Sequence, residues 1–174
     1  MGNTQSVFTE EDFEWFEANT FFNRSEILRF YSYFNRVTGG TRVMSKIQFT
    51  ELPELHINPF RNRIAEVFSN DQGVVEFVDF LDFLSAFSED ATKDVKSFYA
   101  FRIYDYDEDD YLGMSDVRSV VAAQVGSNLS EEEIDTVVAK IFVETDIDGD
   151  NRLSFVEFDH VMARCPDFVK YDSY

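Results

Sequence analysis

Residues 146–157 read DIDGDNRLSFVE, and the fold can be inferred from this pattern. Carboxylate side chains stand at its positions 1, 3, 5 and 12, the spacing of a calcium-binding loop between two helices. Calcium binds about six to eight hard oxygen ligands, and a tightly turning loop directs alternate residues towards one central point. Position 6 needs a positive φ, for which the asparagine found there is the most tolerant residue after glycine. The predicted ligands are Asp146, Asp148, Asp150, Arg152 through its backbone carbonyl, and Glu157.

The stretch 105–116, DYDEDDYLGMSD, follows the same template earlier in the chain. It ends in an aspartate, one methylene shorter than glutamate, so coordination by both carboxylate oxygens is harder and Mg²⁺ should be better tolerated. Asp110 stands at position 6, where a positive φ costs about 1 kcal/mol in a residue with a Cβ atom. The alternative is an acidic turn that binds no ion and only supports its neighbour. The predicted ligands of Ca²⁺ or Mg²⁺ are Asp105, Asp107, Asp109, Tyr111 through its carbonyl, and Asp116.

Apolar residues recur at helical spacing through most of the chain. The stripes come in pairs separated by polar loops, which predicts an all-α fold of four helix–loop–helix units. Ser25 is the predicted N-cap of one helix, and Ser130 with Glu133 three residues later forms a capping box for another. Gly126 should end the helix that directly precedes the one capped by Ser130.

The four units divide into two pairs at the polar stretch 88–94. The first two loops, 37–48 and 69–79, lack most of the carboxylates that the template requires. Leu112 and Leu153, both at position 8, should pair the last two loops through a short β interaction. The predicted lobes are an N-terminal metal-silent pair, 1–88, and a C-terminal metal-binding pair, 89–174, which includes a tail, 166–174.

Composition excludes several classes of protein. With 34 acidic and 15 basic residues the formal net charge is −19, which would repel a nucleic acid. The chain contains 20 phenylalanines and is 44% hydrophobic, so it should fold rather than remain disordered. The single Cys165 favours the cytosol, and no apolar run is long enough to span a membrane. His56, His160 and Cys165 form no nucleophile–base pattern, so we expect no enzyme.

Four stretches of the chain are distinctive: TFFNRSEILRFYSYF (20–34), ELPELHINPFRNRI (51–64), YAFRIYDYDEDD (99–110) and ARCPDF (163–168). They resemble the calcium and integrin-binding protein family, EF-hand proteins that stand beside calcineurin B. The resemblance implies two lobes of paired EF-hands, with silent first and second hands and a third hand that ends in aspartate, as here at Asp116. The chain departs from the family around residues 35–48, where the connection is short, and at the KYDSY terminus, so the resemblance does not extend to tail-dependent partner specificity.

The resemblance also implies a partner and a membrane contact. The implied partner is a cytoplasmic amphipathic helix of a membrane protein, either an integrin α-subunit tail or a mechanotransduction-channel subunit. The start MGNTQS fits the myristoylation pattern, with Gly2 as acceptor. One myristoyl chain binds a bilayer only marginally, so we expect a monomeric cytoplasmic protein that associates reversibly with membranes.

A surplus of apolar residues suggests a hydrophobic groove for that helix. The tail residues 167–174 could cover the groove in the absence of a partner, or could be a permanent part of the core. Two other functions stay open: a regulatory subunit of a phosphatase or kinase, as in the calcineurin B branch, and a calcium buffer without a target. The predicted groove residues are Phe80, Phe83, Leu84, Phe87, Val161 and Met162.

Overall fold

The computed structural model describes residues 7–164, most of which are helical. The helices are α1 (Glu10–Asn19), α2 (Arg24–Thr38), α3 (Lys46–Thr50), α4 (Arg61–Val67), α5 (Phe77–Ala86), α6 (Lys93–Tyr104), α7 (Met114–Val125), α8 (Glu131–Thr145) and α9 (Phe155–Arg164). The strands are β1 (Val43–Ser45), β2 (Val74–Glu76), β3 (Leu112–Gly113) and β4 (Arg152–Leu153). Among the described residues, no helix combines the length and the apolar character needed to cross a bilayer.

The predicted all-α fold with paired EF-hands is confirmed. Each hand consists of two helices joined by a loop that contains one short strand, in the order α2–β1–α3, α4–β2–α5, α6–β3–α7 and α8–β4–α9. The strands pair antiparallel, β1 with β2 and β3 with β4. The expected pairing of Leu112 with Leu153 is present in the second sheet, so the last two loops lie side by side.

Local hydrogen bonds explain where the helices begin and end. Ser130 caps α8, and its N–H donates to Glu133 at 2.8 Å, as the capping-box pattern predicts. Gly126 follows the last residue of α7 with φ of 55°, as expected. The N-cap predicted at Ser25 is wrong by two residues. Asn23 caps α2 instead, because its side-chain oxygen accepts the N–H groups of Ser25 and Glu26 at 3.0 and 3.2 Å.

Helix α1 precedes the four hands and was not predicted. Its start has a recognisable signal in Thr9 and Asp12, which cap each other's backbone N–H groups at 3.1 and 2.8 Å. The helix buries Phe13 and Phe16 against the first half of the molecule.

Within residues 7–164, two hydrophobic clusters form the core, and α6 contributes to both. The first cluster gathers buried residues from α1 to α5 together with Ile103, which is 4% exposed. The second cluster contains Phe101, two residues earlier in α6, with residues of α7, α8 and α9. The stretch 88–94 does separate α5 from most of α6. The lobes 1–88 and 89–174 nevertheless stay a prediction, because the first core continues beyond residue 88.

Candidate metal centres

Three carboxylates converge in the fourth loop. One oxygen each from Asp146, Asp148 and Glu157 lies within 4.8 Å of the others. These are positions 1, 3 and 12 of the predicted calcium loop. Hard oxygen donors at this spacing are the ligands that Ca²⁺ and Mg²⁺ require, so the chemistry of this donor set fits a divalent cation.

Two residues with positive φ turn the fourth loop tightly. Gly149 has φ of 77° and Asn151 has φ of 66°. The carboxylate of Asp146 accepts their backbone N–H groups, at 2.8 and 2.9 Å. The first predicted ligand therefore also organises the turn, and Asn151 adopts the backbone conformation expected of position 6.

Asp150 is hydrogen-bonded to Arg152 in this structure. Its two oxygens accept the backbone N–H and the Nε–H of Arg152, at 3.0 and 3.2 Å. The converging group of Asp146, Asp148 and Glu157 does not include it. A ligand role for Asp150 and for the Arg152 carbonyl stays a prediction.

Glu157 is buried and held from both sides. It is 7% exposed. One oxygen accepts the N–H of Ile147 at 2.9 Å, and the other accepts the N–H and the hydroxyl of Ser154 at 2.9 and 2.7 Å. The hydrogen bonds from Ser154 lower the pKa of Glu157, because they stabilise the ionised carboxylate. Glu157 is thus oriented as an anion at the base of the loop.

The third loop brings together a different set of carboxylates. Oxygens of Asp105, Asp107 and Asp109, at positions 1, 3 and 5, lie within 4.8 Å of one another. Asp105 is 5% exposed and accepts the N–H groups of Asp109 and Asp110, at 3.2 and 3.0 Å. Burial raises the pKa of Asp105 despite these hydrogen bonds, and the charge of Asp109 adds to the effect.

Asp116 does not belong to the converging group of the third loop. Its oxygens accept the N–H groups of Tyr106 and Gly113, at 3.1 and 2.9 Å. Burial raises the pKa of Asp116, and the charges of Asp107 and Asp109 raise it further. Gly113 has no hydroxyl to offer, whereas the serine at the same position of the fourth loop donates one. The position-12 residue is shorter in the third loop than in the fourth. The pKa of its carboxyl group is raised in the third loop and lowered in the fourth.

The turn of the third loop has two residues with positive φ that are not glycine. Asp110 has φ of 66°, as its position predicted, and Glu108 has φ of 59°. The positive φ of Glu108 was not predicted from the sequence. The signal was available in the fourth loop, where Gly149 stands at the equivalent position.

Neutral amides close the first two loops. In the first hand, Gln48 accepts the N–H of Ser45 at 3.0 Å and donates to the carbonyl of Val37 at 3.1 Å. In the second, the side-chain oxygen of Asn70 accepts the N–H groups of Gln72 and Val74 at 3.0 and 3.3 Å. Between residues 7 and 164, converging groups of three acidic ligands occur in the third and fourth loops. We retain the prediction that the first two hands bind no ion.

The groove prediction needs a correction at two residues. Phe80 is 0% exposed and Phe83 is 3% exposed, so both are core residues rather than the lining of an open groove. Phe80 packs on Phe34 at 5.5 Å between ring centroids, and Phe83 packs on Phe49 at 5.0 Å. They are enclosed because α5 is apolar on almost every side. The other proposed groove residues, which are half-buried, are Leu84, Phe87, Val161 and Met162.

Two predictions fall outside the described residues. They are the lipid acceptor Gly2 and the covering of the groove by residues 167–174.

Comparisons with known proteins agree with the geometry of the two loops. Residues 94–163 match the family model described as an EF-hand domain pair. The chain is 43% identical to calcium and integrin-binding family member 2 of Drosophila melanogaster, over 97% of this chain and 96% of that protein. It is 36% identical to member 2 and 41% identical to member 3 of Homo sapiens, with the same coverage.

Proposed function

The chain belongs to the calcium and integrin-binding protein family, and on that premise we propose that it is a non-enzymatic adaptor regulated by Ca²⁺ and Mg²⁺. In this proposal its ion-loaded form binds an amphipathic helix from the cytoplasmic part of a membrane protein. The names of its relatives support an integrin tail as one such partner. A mechanotransduction-channel subunit is the other partner that we propose.

The difference between the two loops at position 12 is the observation that carries the regulatory part of the proposal. Glu157 joins the converging carboxylates of the fourth loop, whereas Asp116 stays outside those of the third. Bidentate coordination from position 12 favours the larger Ca²⁺, and a shorter residue there favours the octahedral Mg²⁺. We therefore assign Ca²⁺ to residues 146–157 and propose that residues 105–116 hold Mg²⁺ at rest and Ca²⁺ more weakly.

One depression on the first half supports the adaptor role. Leu84 lines it together with Phe30 and Tyr33, and its volume is 390 Å³; the charged residues that also line it are Arg29, Arg36 and Glu54. An amphipathic helix that lays its apolar face into a groove needs such concave apolar surface. Phe87 lines a smaller depression of 50 Å³ between α4, α5 and α6, which is too small to take up the face of a helix.

In this proposal, association with the membrane depends on myristoylation of Gly2 and on the membrane-protein partner. Myristoylation of Gly2 would supply one weak anchor, and a net charge of −19 opposes binding to an anionic leaflet. The protein would then be cytoplasmic and monomeric, and would reach the membrane reversibly, mainly when its partner is present.

Calorimetric titration of the full chain with a synthetic integrin α-tail peptide tests the adaptor role. We expect binding in Ca²⁺ or Mg²⁺ and a loss of about tenfold or more in EDTA. Glu157→Gln should abolish the tightest Ca²⁺ event and weaken peptide binding in Ca²⁺, while Asp159→Asn, a matched carboxylate change in the same helix, should leave both unchanged.

Two results would count against this function. Equal peptide affinity with and without ions would exclude ion-regulated binding. Tighter binding of a helix from a soluble phosphatase or kinase would favour the role of an enzyme's regulatory subunit.

A further inference from the structure

Arg63 of α4 is a buried cation with an unusual set of partners. It is 7% exposed in a protein of net charge −19. The residue lies in the second hand, which has no converging ligand group in the part of the chain that the structure describes. Nearly all of its hydrogen-bond acceptors nevertheless belong to the third hand.

Three of these acceptors are backbone carbonyls at the end of α6. Arg63 donates to Arg102 and Ile103, both at 3.3 Å, and to Asp105 at 2.6 Å. The last carbonyls of a helix have no partner within the helix, and a cation there also offsets the negative end of the helix dipole. The planar fork of a guanidinium can serve several such carbonyls at once. Arg63 thus fixes the point at which α6 passes into the third loop, next to the first predicted ligand.

The fourth contact reaches into the loop itself. Nη1 of Arg63 lies 3.4 Å from Oε1 of Glu108, whose side chain is 74% exposed. Glu108 holds a positive φ at the position that is glycine in the fourth loop. A glutamate is disfavoured in that conformation, so its contact with Arg63 gives the residue a role that glycine could not fill. The guanidinium also lies 5.3 Å from the centre of the Tyr106 ring, at position 2.

A second ion pair holds Arg63 in place from its own helix. Nη1 donates to Oε2 of Glu66 at 2.6 Å, three residues along α4. Because Glu66 orients the guanidinium, the contacts with α6 and with the loop are made by a side chain of restricted freedom.

We propose that Arg63 is a positioning residue for the third metal loop, through which the second hand shapes and senses ion binding at residues 105–116. The inference rests on the proposed ion binding at this loop. Arg63 would hold the end of α6 and the turn at Glu108 in the ion-receiving arrangement before an ion arrives. Ion binding would in turn stabilise α4, since coupling between two sites acts equally in both directions.

A purely electrostatic role of Arg63 would affect ion affinity in the opposite direction from a positioning role. Experiment can therefore distinguish the two roles. A positive charge near the loop repels a divalent cation, so if only charge mattered, Arg63→Gln would tighten ion binding. If positioning dominates, Arg63→Gln weakens it. Arg63→Lys keeps the charge but cannot reproduce the planar fork, so it should also weaken binding under our proposal and change nothing under the charge explanation.

The test is calorimetric titration of Mg²⁺ and Ca²⁺ into full-length protein that carries Glu157→Gln, which isolates the third loop. We expect Arg63→Gln to weaken binding about tenfold, within the usual range of coupling between sites. Arg63→Lys should weaken it to a smaller extent. Glu108→Gln should weaken it less, and the double variant should show a non-additive loss, because the two side chains act as a pair.

Amide hydrogen exchange provides a second measurement, and its result would not change if Arg63 only stabilised the fold. Addition of Mg²⁺ to otherwise wild-type protein should slow exchange in α4, and this protection should be lost in Arg63→Gln. If Arg63→Gln fails to fold, Arg63→Lys decides the question, since it keeps the buried charge and loses only the planar fork, so weaker ion binding in that variant cannot come from charge.

Unchanged or tighter ion binding in a folded Arg63→Gln protein, or unchanged binding in Glu108→Gln, would overturn the inference alone. Absence of any ion binding at residues 105–116 in protein with Arg63 intact would overturn the proposed function of this loop as well.

Discussion

The guanidinium carbon of Arg152 lies 4.1 Å from the centre of the Tyr111 ring. Both residues stand at position 7 of their loops, next to the paired leucines at position 8. A cation over an aromatic face at this distance is attractive, and here it joins the two predicted ion sites. The last two loops are therefore connected by side chains as well as by their short β pairing.

This contact predicts communication between the third and fourth loops. Tyr111→Ala and Arg152→Gln keep both backbone carbonyls, so the predicted ligands remain. Each change should remove about 0.5–1 kcal/mol of coupling between the sites. In calorimetric titration with Ca²⁺, binding at the two sites should then be less strongly coupled. The double variant should be no worse than either single variant, and full additivity of the two losses would contradict the idea.

Lengthening the position-12 residue of the third loop should change its ion preference. Asp116→Glu should bring a carboxylate oxygen into the group formed by Asp105, Asp107 and Asp109, and raise Ca²⁺ affinity about tenfold relative to Mg²⁺. Titration of both ions in the Glu157→Gln background measures this ratio. Asp116→Asn is the matched control and should weaken both ions. A fall in Ca²⁺ affinity with glutamate would show that the loop cannot accommodate the extra methylene.

Because Phe80 belongs to the core and Leu84 lines a depression, substitutions of these two residues of α5 should affect stability and peptide binding differently. Phe80→Ala removes a fully buried ring and should lower the free energy of unfolding by about 3–5 kcal/mol. Leu84→Ala, at a half-buried site that lines the larger depression, should cost less stability and weaken helix binding. Denaturant unfolding and peptide titration measure the two effects. If Leu84→Ala left peptide affinity unchanged, that depression would not be the binding groove.

Stability should depend on pH through Asp82. Burial raises the pKa of Asp82, and the charge of Asp79 raises it further. Because the folded-state pKa lies above the ordinary value of 3.8, the ionised carboxylate destabilises the fold at neutral pH. This loss shrinks as the pH falls below the folded-state pKa and is gone below the ordinary value. Asp82→Asn should therefore stabilise the protein near pH 7, by less than about 1 kcal/mol for a partly exposed group.

Denaturant unfolding in EDTA, at neutral pH and again below the ordinary pKa, checks this expectation. The advantage of Asp82→Asn should vanish at the lower pH, where the wild-type carboxyl group is also neutral. Glu89→Gln, at an exposed position, is the control and should show no such change. A stabilisation that persists at low pH would point to a cause other than the charge.

Sequence patterns predicted the parts of the molecule that are determined by nearby residues. The fourth loop follows from a spacing of carboxylates within twelve positions, and the cap at Ser130 from two residues three apart. The N-cap of α2 was misplaced because asparagine and serine are both good caps and stand two positions apart at Asn23 and Ser25.

Features that depend on distant residues were not predictable in this way. The apolar pattern of α5 shows which residues avoid water, but not that Phe80 and Phe83 face other helices instead of a groove. The contact of Arg63 with the carbonyl of Asp105 joins residues 42 positions apart, and neither residue type nor spacing indicates it. Such contacts arise only when the hands pack together.

The shared use of α6 has a consequence for the order of folding during synthesis. The first core includes Ile103, so a nascent chain that has emerged only as far as residue 88 lacks part of that core. Its phenylalanine-rich helices would remain partly uncovered until α6 leaves the ribosome. Folding of the N-terminal hands should therefore lag behind their own translation, and the incomplete chain is the stage at which chaperones would be needed.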